Sequence, residues 1–185
     1  MPRYLVSGIA QLVSDVAAVL REHDADVVEV AELADVPGVC ADAGPSSFDG
    51  YIQLPATFNV EGDTAVTRVH HFFAEGVLAR FPAVAAALPT LKPEARLTFV
   101  TGVLPTDVST EDDVAARAAL VRILGQAAQA DAANGLRVST VGSGTTAKDI
   151  ALTALGRSSG ESSTTEPDDY GEWRIELLGM MWAET

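Results

Sequence analysis

RYLVSGIAQLVSDVAAVLREHDADVVEVAEL, residues 3–33, carries the pattern that decides the fold. Residues 3–8 form a short apolar run closed by glycine, which reads as a buried strand. Residues 9–23 then place Ile9, Leu12, Val13, Val16 and Leu20 on one helical stripe. From 24 to 33, Val27, Val28 and Val30 return the chain to strand character. Strand, helix and strand in succession make a β-α-β unit, because adjacent parallel strands need a crossover of this kind.

The alternation continues along the chain. Residues 34–47 are rich in Gly, Pro, Asp and Ser and read as a loop. FDGYIQLPATF (48–58) supplies a third strand centred on 51–54. Residues 63–91 read as one long helix, started near Asp63 or Thr64 and bent by Pro82. ARLTFVTG (95–102) is the next strand, and a helix follows a loop ending near Thr110, where Thr110 can cap and Asp113 can answer it. GLRVSTVGSG (135–144) is another strand and 147–155 a short helix. Residues 156–169 read as a mobile loop, and 172–182 as a last strand in which Trp173, Ile175 and Leu177 alternate. The expected fold class is α/β: one domain over 1–185, with a doubly wound parallel sheet covered on both faces.

Composition narrows the partners. Twelve Lys and Arg against 26 Asp and Glu leave a formal charge of −14, a field that repels nucleic acid and anionic lipid. The only cysteine, Cys40, excludes an internal disulfide and reads as a small apolar filler or a loop thiol. The three histidines show no metal-ligand spacing; His70 and His71 are adjacent and point in different directions on a helix, which suits a surface or an interface. Polar residues at Ser7, Gln11, Ser14 and Asp15 interrupt any signal-peptide core, and no apolar run approaches the roughly 20 residues that span a bilayer. The expected location is cytoplasmic, with no membrane association.

DDVAARAALVRILGQAAQADAANGLRVSTVGSG (112–144) adds a more specific signal. It resembles the stretch of short-chain dehydrogenases/reductases in which a Tyr-x-x-x-Lys pair begins a helix that runs into a Gly-Ile/Leu-Arg-Val strand. Gly135, Arg137, Val138 and Gly144 fall in register, and Asp113 and Arg117 stand at the Tyr and Lys places. LVSG (5–8) and LTFVTG (97–102) extend the resemblance to two further strands. The resemblance implies a Rossmann-like sheet shortened after its second strand, where only residues 34–47 occupy the space of a helix-strand-helix segment.

The same resemblance implies NAD(P) chemistry whose motifs are degenerate here. Gly8 is a vestige of the glycine-rich turn, with Leu12 and Ser14 near where further glycines belong, so side chains would fill the pyrophosphate's space. The turn after the third strand is Gln53–Ala56, stiffened by Pro55. The catalytic serine position falls on Gly102, or on Thr101 with a one-residue slip. Asp113 beside Arg117 would be ionised and a poor proton donor, and the two read as a helix ion pair worth about 0.2–0.5 kcal/mol. No catalytic, cofactor-binding or metal residue is therefore expected, and no cofactor. NAD(P) or another small ligand in a non-standard site is the alternative, with Asp113, Arg117 and Thr101 lining it. Ser143, Thr145 and Thr146 fit either a hydroxyl-lined pocket or simple turn chemistry.

The helices point to association instead. The one within 112–131 is apolar nearly all round, and the one from 64 to 88 is similar, which implies a second burial partner. In the family the corresponding helices join subunits. The expectation is a catalytically inactive, pseudoenzyme-like subunit acting through oligomerisation, either with its own kind or with a competent NAD(P)-dependent dehydrogenase. Phe72, Phe73, Ala116, Leu120, Ile123, Trp173 and Ile175 are the interface candidates, with local core packing the competing reading for Trp173 and Trp182.

Overall fold

A computed structural model describes residues 1–55, 62–101, 111–131, 135–142 and 145–157. Its five strands are β1 (Arg3–Ser7), β2 (Asp26–Val30), β3 (Phe48–Gln53), β4 (Leu91–Val100) and β5 (Arg137–Val141). All pair in parallel, in the order β2-β1-β3-β4-β5. The helices are α1 (Ala10–Glu22), α2 (Val36–Ala43), α3 (Ala65–His71), α4 (Arg80–Ala87), α5 (Glu111–Asp131) and α6 (Ala147–Leu155).

The two faces of the sheet carry separate cores. Leu5, Phe48, Tyr51, Leu97 and Phe99 pack with Val36 and Cys40 of α2, Ala83, Val84 and Ala87 of α4, and Val121, Leu124 and Ala128 of α5. Alternate residues on the same strands, Tyr4, Val6, Ile52 and Val100, face α1 and α6 through Val13, Val16, Leu20, Ile150 and Ala151. Burial on both faces is what a doubly wound parallel sheet requires of its strands. Val13, Val16 and Leu20 confirm the helical stripe of 9–23, but Ile9 is exposed because it precedes the first helical turn and does not share the helix's periodicity.

Three local readings are corrected. Residues 34–47 are not a loop: α2 occupies most of them, because Pro37 stands in the first turn, where its missing N–H costs nothing, and Gly44 (φ 78) ends the helix. Val36 and Cys40, one turn apart, give it a buried face, so Cys40 is a core filler and its thiol pKa is raised by burial. The long helix of 63–91 is interrupted rather than bent. Thr64 caps α3 by accepting from Thr67 N–H at 3.2 Å, but Phe72–Leu78 is a π-helical stretch, and Ala79 N–H reaches back to Ala74 O at 3.2 Å. Pro82 cannot donate to the Leu78 carbonyl and crowds it, which places the irregularity one turn upstream of the proline. β4 also begins earlier than residue 95, at Leu91, beyond an irregular register between Phe48 and Gly50.

Where β2 leads to β3, the chain crosses β1 through α2 alone, and among the described residues β2 pairs only with β1. The sheet is thus shortened on the side where the sequence lacks a helix-strand-helix segment. α6 begins at Thr146, whose Oγ1 accepts from Asp149 N–H, and ends at Gly156. The Thr110 cap, the strand expected at 172–182 and all of the 156–169 loop beyond Arg157 lie outside the described residues.

Gly8 is required by its backbone. Its φ is +131°, and a Cβ there would stand 2.6 Å from Pro55 O and 2.7 Å from Leu54 Cβ. Gly8→Ala should lower stability by about 2–4 kcal/mol through combined strain and overlap, read as a lower urea midpoint with an unchanged m-value.

Candidate functional site at the carboxyl edge of the sheet

In a doubly wound sheet, ligands enter a crevice at the carboxyl ends of the strands where the strand order reverses. Here that point lies between β1 and β3, and their last residues, Ser7 and Gln53, are register partners. Both are fully buried, as is Tyr51 two residues before Gln53 on the same face. Opposite them, at the start of α4, Arg80 is only 2% exposed.

These side chains bond to one another. Ser7 Oγ and Tyr51 Oη are 2.8 Å apart, and Gln53 Nε2 donates to Tyr51 Oη at 3.1 Å and to Arg80 O at 3.1 Å. Arg80 Nε donates to Gln53 Oε1 at 2.9 Å, and its Nη2 to the backbone oxygens of Gln53 (3.0 Å) and Val100 (2.8 Å). A buried guanidinium is costly unless its donors are satisfied; here the Gln53 side chain takes Nε, and carbonyl oxygens from the ends of two adjacent strands take Nη2. The Tyr51 phenol is pushed up to about 12 by burial, which outweighs the hydrogen bonds from Ser7 and Gln53 and the nearby Arg80 charge.

The turn above this network is tight. β1 ends at Ser7 and α1 begins at Ala10, leaving only Gly8 and Ile9 between them. Gly8 N–H donates to Val30 O at 3.1 Å and Ile9 N–H to Pro55 O at 2.8 Å. Glu29, near the end of β2 and about twenty residues beyond Gly8, has the place and charge of a ribose-binding acid. Its carboxylate is engaged by Arg21 Nη2 at 2.7 Å and Ser14 Oγ at 3.1 Å.

The residues singled out in the sequence are only partly brought together. Gly8 stands at the crevice. Thr101 lies at the end of β4, half-buried, with its N–H and Oγ1 both directed to Val141 O at 3.1 and 3.4 Å. Thr145 Oγ1 donates to Gly142 O and Thr146 Oγ1 to Asp149 Oδ2, so both hydroxyls serve the turn and cap before α6. Asp113, Ala116 and Arg117 fall on α5, but their side chains are outside the described set, as are that of Phe72 and the whole of Gly102, Ser143, Trp173, Ile175 and Trp182. Phe73 and Leu120 are half-buried, and Ile123 is buried within the chain at 2% exposure.

The Ser7–Tyr51–Gln53–Arg80 network was not singled out in the sequence. A signal is present: Arg80 is a single cation between VLA and FPAVAAAL, and a charge in such a run needs buried partners. Arg80→Met should cost about 3 kcal/mol, because two strand-end carbonyls and the Gln53 side chain lose donors while buried; Arg80→Lys should recover only part of the loss in urea unfolding. The raised Tyr51 pKa means that the folded state holds its proton more tightly than the unfolded state. Its contribution is complete below pH 10 and lost as pH rises from 10 towards 12. Tyr51→Phe should flatten the alkaline fall in stability, leaving the part due to Tyr4, whose pKa is raised by burial and by Asp49.

No family model matches the sequence, and no curated protein does. Solved structures do match the fold. The protein lin1944 from Listeria innocua superposes with a TM-score of 0.62 at 15% identity, covering 86% of this chain and 95% of its own. A protein assigned as a short-chain alcohol dehydrogenase from Burkholderia multivorans gives 0.60 at 12% identity, covering 84% and 89%. A small-chain dehydrogenase gives 0.56 at 20% identity, covering 86% and 90%. Likeness at such identities is a likeness of fold, and the chain has a short-chain-dehydrogenase-like, Rossmann-type α/β fold in shortened form.

Proposed function

We propose that this chain is a non-catalytic short-chain-dehydrogenase-like subunit that acts by association with a second subunit of the same fold, like or unlike itself. The observation that carries the reading is the crevice at the β1/β3 switch point, filled by Ser7, Tyr51, Gln53 and Arg80 with hydrogen bonds among themselves.

The residues present do not fit NAD(P). A pyrophosphate at this turn needs free backbone N–H groups and open space in front of them. Gly8 and Ile9 N–H are spent on Val30 and Pro55 carbonyls, and Leu54 and Pro55 close on Gly8. Glu29 is held by Arg21, and an entering dianion meets a net charge of −14. No proton-transfer step is assigned to any residue of the crevice, since Tyr51 is fully buried and its pKa is raised.

Association is supported by apolar surface left open on the helices. Val66 on α3 is 79% exposed, and Leu78, at the end of the π stretch, is 50% exposed. Contrary to the expectation from the sequence, the helical stretch Val66–Thr90 is by length and composition alone apolar and long enough to cross a membrane. Because Arg80, within the same stretch, holds the ends of β3 and β4, an interface with another protein subunit suits it better than lipid.

Light scattering on the purified chain, or on its co-purified complex with a dehydrogenase subunit, should give a mass above the 19.3 kDa of one chain. Leu78→Glu should shift that mass toward the monomer. Between like chains the association should strengthen with ionic strength, since salt screens the repulsion of two acidic bodies. A monodisperse monomer that captures no dehydrogenase subunit overturns the reading. Calorimetry with NADH and NADPH should show no binding tighter than about 100 μM; a saturating isotherm would establish the alternative, a ligand-binding oxidoreductase or sensor.

A further inference from the structure

A second polar cluster lies at the opposite, amino edge of the sheet. Tyr4 on β1, Gly50 on β3, Arg96 on β4 and Arg137 on β5 are successive register partners. Partnered residues of parallel strands share a face, and this row lies on the face that α1 and α6 cover. The chain has no side chain at Gly50 because the Tyr4 ring occupies that space; a Cβ there would lie 2.5 Å from Tyr4 Cε1.

The end of α6 closes over this row. Gly156 ends the helix with φ 71°, and the Arg96 guanidinium packs so closely beneath it that any side chain at 156 would collide with it. Arg157 follows at once, its Nη1 donating to His23 Nδ1 at 3.2 Å. Tyr4 Oη donates to Ala154 O at 3.5 Å, and its phenol stands near the charges of Asp49, Arg96 and Arg157. Arg137, exposed, stands one strand spacing from Arg96, about 4.8 Å.

Arg96 and Arg137 are thus register neighbours on one face, and Arg157 follows the helix end that lies over Arg96, so three arginines share one edge of the sheet in a chain of net charge −14. Among the described residues, no carboxylate pairs with Arg96, Arg137 or Arg157, whereas Arg3, Arg21 and Lys92 each have one within 3.0 Å. The acids around the row are placed otherwise. Asp49 is held by Lys92 and by Arg3 N–H, each at 2.8 Å. Asp24 and Glu94 are exposed, with Glu94 lying against Gly135.

We propose that Arg96, Arg137 and Arg157 form a binding site for a phosphate group, as the free ion or a small monoester. Guanidinium forks present paired donors that match the oxygens of such a group, and donors arriving from three elements suit a tetrahedral oxyanion better than a planar carboxylate. A nucleic-acid backbone is excluded, because the body around this local patch is acidic. The site stands on the far edge of the sheet from the filled crevice and does not depend on the reading of that crevice.

The test is 31P NMR of inorganic phosphate, with glycerol 3-phosphate titrated in parallel, against the full chain in chloride buffer at constant ionic strength. Saturable broadening with a dissociation constant of about 1 mM or below is expected. It should weaken at least about fivefold in Arg137→Gln, whose exposed side chain leaves folding unaffected, and vanish in the Arg96→Gln/Arg137→Gln double variant, while Lys148→Gln at the far end of α6 leaves it unchanged. Tighter binding of the ester identifies the monoester as the ligand class, and equal binding identifies the free ion. Absence of saturable broadening in the parent chain, or the same broadening in Arg137→Gln as in the parent (an adventitious ion only), overturns the proposal.

Discussion

The guanidinium of Arg80, buried against the ends of β3 and β4, is the interaction on which the carboxyl edge of this sheet depends. A parallel sheet ends in rows of carbonyl oxygens, and in a nucleotide-binding sheet that edge is left open for a ligand. Here α4 delivers a cation into it, and Gln53, Tyr51 and Ser7 complete the hydrogen bonds. The arrangement is self-consistent only as a whole. Removing one member leaves its partners buried without donors or acceptors, which costs more than any one bond contributes.

The interruption of the helix before Arg80 belongs to the same solution. Pro82 forbids a regular turn behind it, and the π-helical stretch Phe72–Leu78 takes up the extra residue before α4 resumes. Regular helix then presents Arg80, Ala83, Val84 and Ala87 to the sheet, while Val66 and Leu78 upstream remain in solvent. One helical stretch thus seals the crevice at one end and offers apolar surface at the other. That pairing of a closed site with an open helix face supports the association proposed for the chain.

Much of the architecture was legible in the chain. The β-α-β unit of 3–33, the existence of a third strand near 51–54, the helix of 147–155 and the parallel α/β class all follow from hydrophobic period, which local backbone geometry obeys directly. The shortening after β2 was also visible, as a missing length of sequence. The helix at 36–43 is not legible in the sequence because Pro37 and Gly44 mark loops and helix ends alike, and only the burial of Val36 and Cys40 distinguishes the two. The candidate site was less legible. Gly8 is legible as a turn glycine, but Ser7, Tyr51, Gln53 and Arg80 are drawn from three segments, and nothing in local sequence says that they meet.

What the sequence by itself determined is therefore the fold, since it rests on local pattern: side chains alternating along strands and stripes along helices. What only the tertiary structure decided is how the carboxyl crevice is filled and how the arginines at the amino edge stand together. Both depend on register between strands distant in sequence, Ser7 with Gln53 and Arg96 with Arg137, and on where two helix ends fall above them. Register is set by the packing of the whole sheet, a property that no single segment carries.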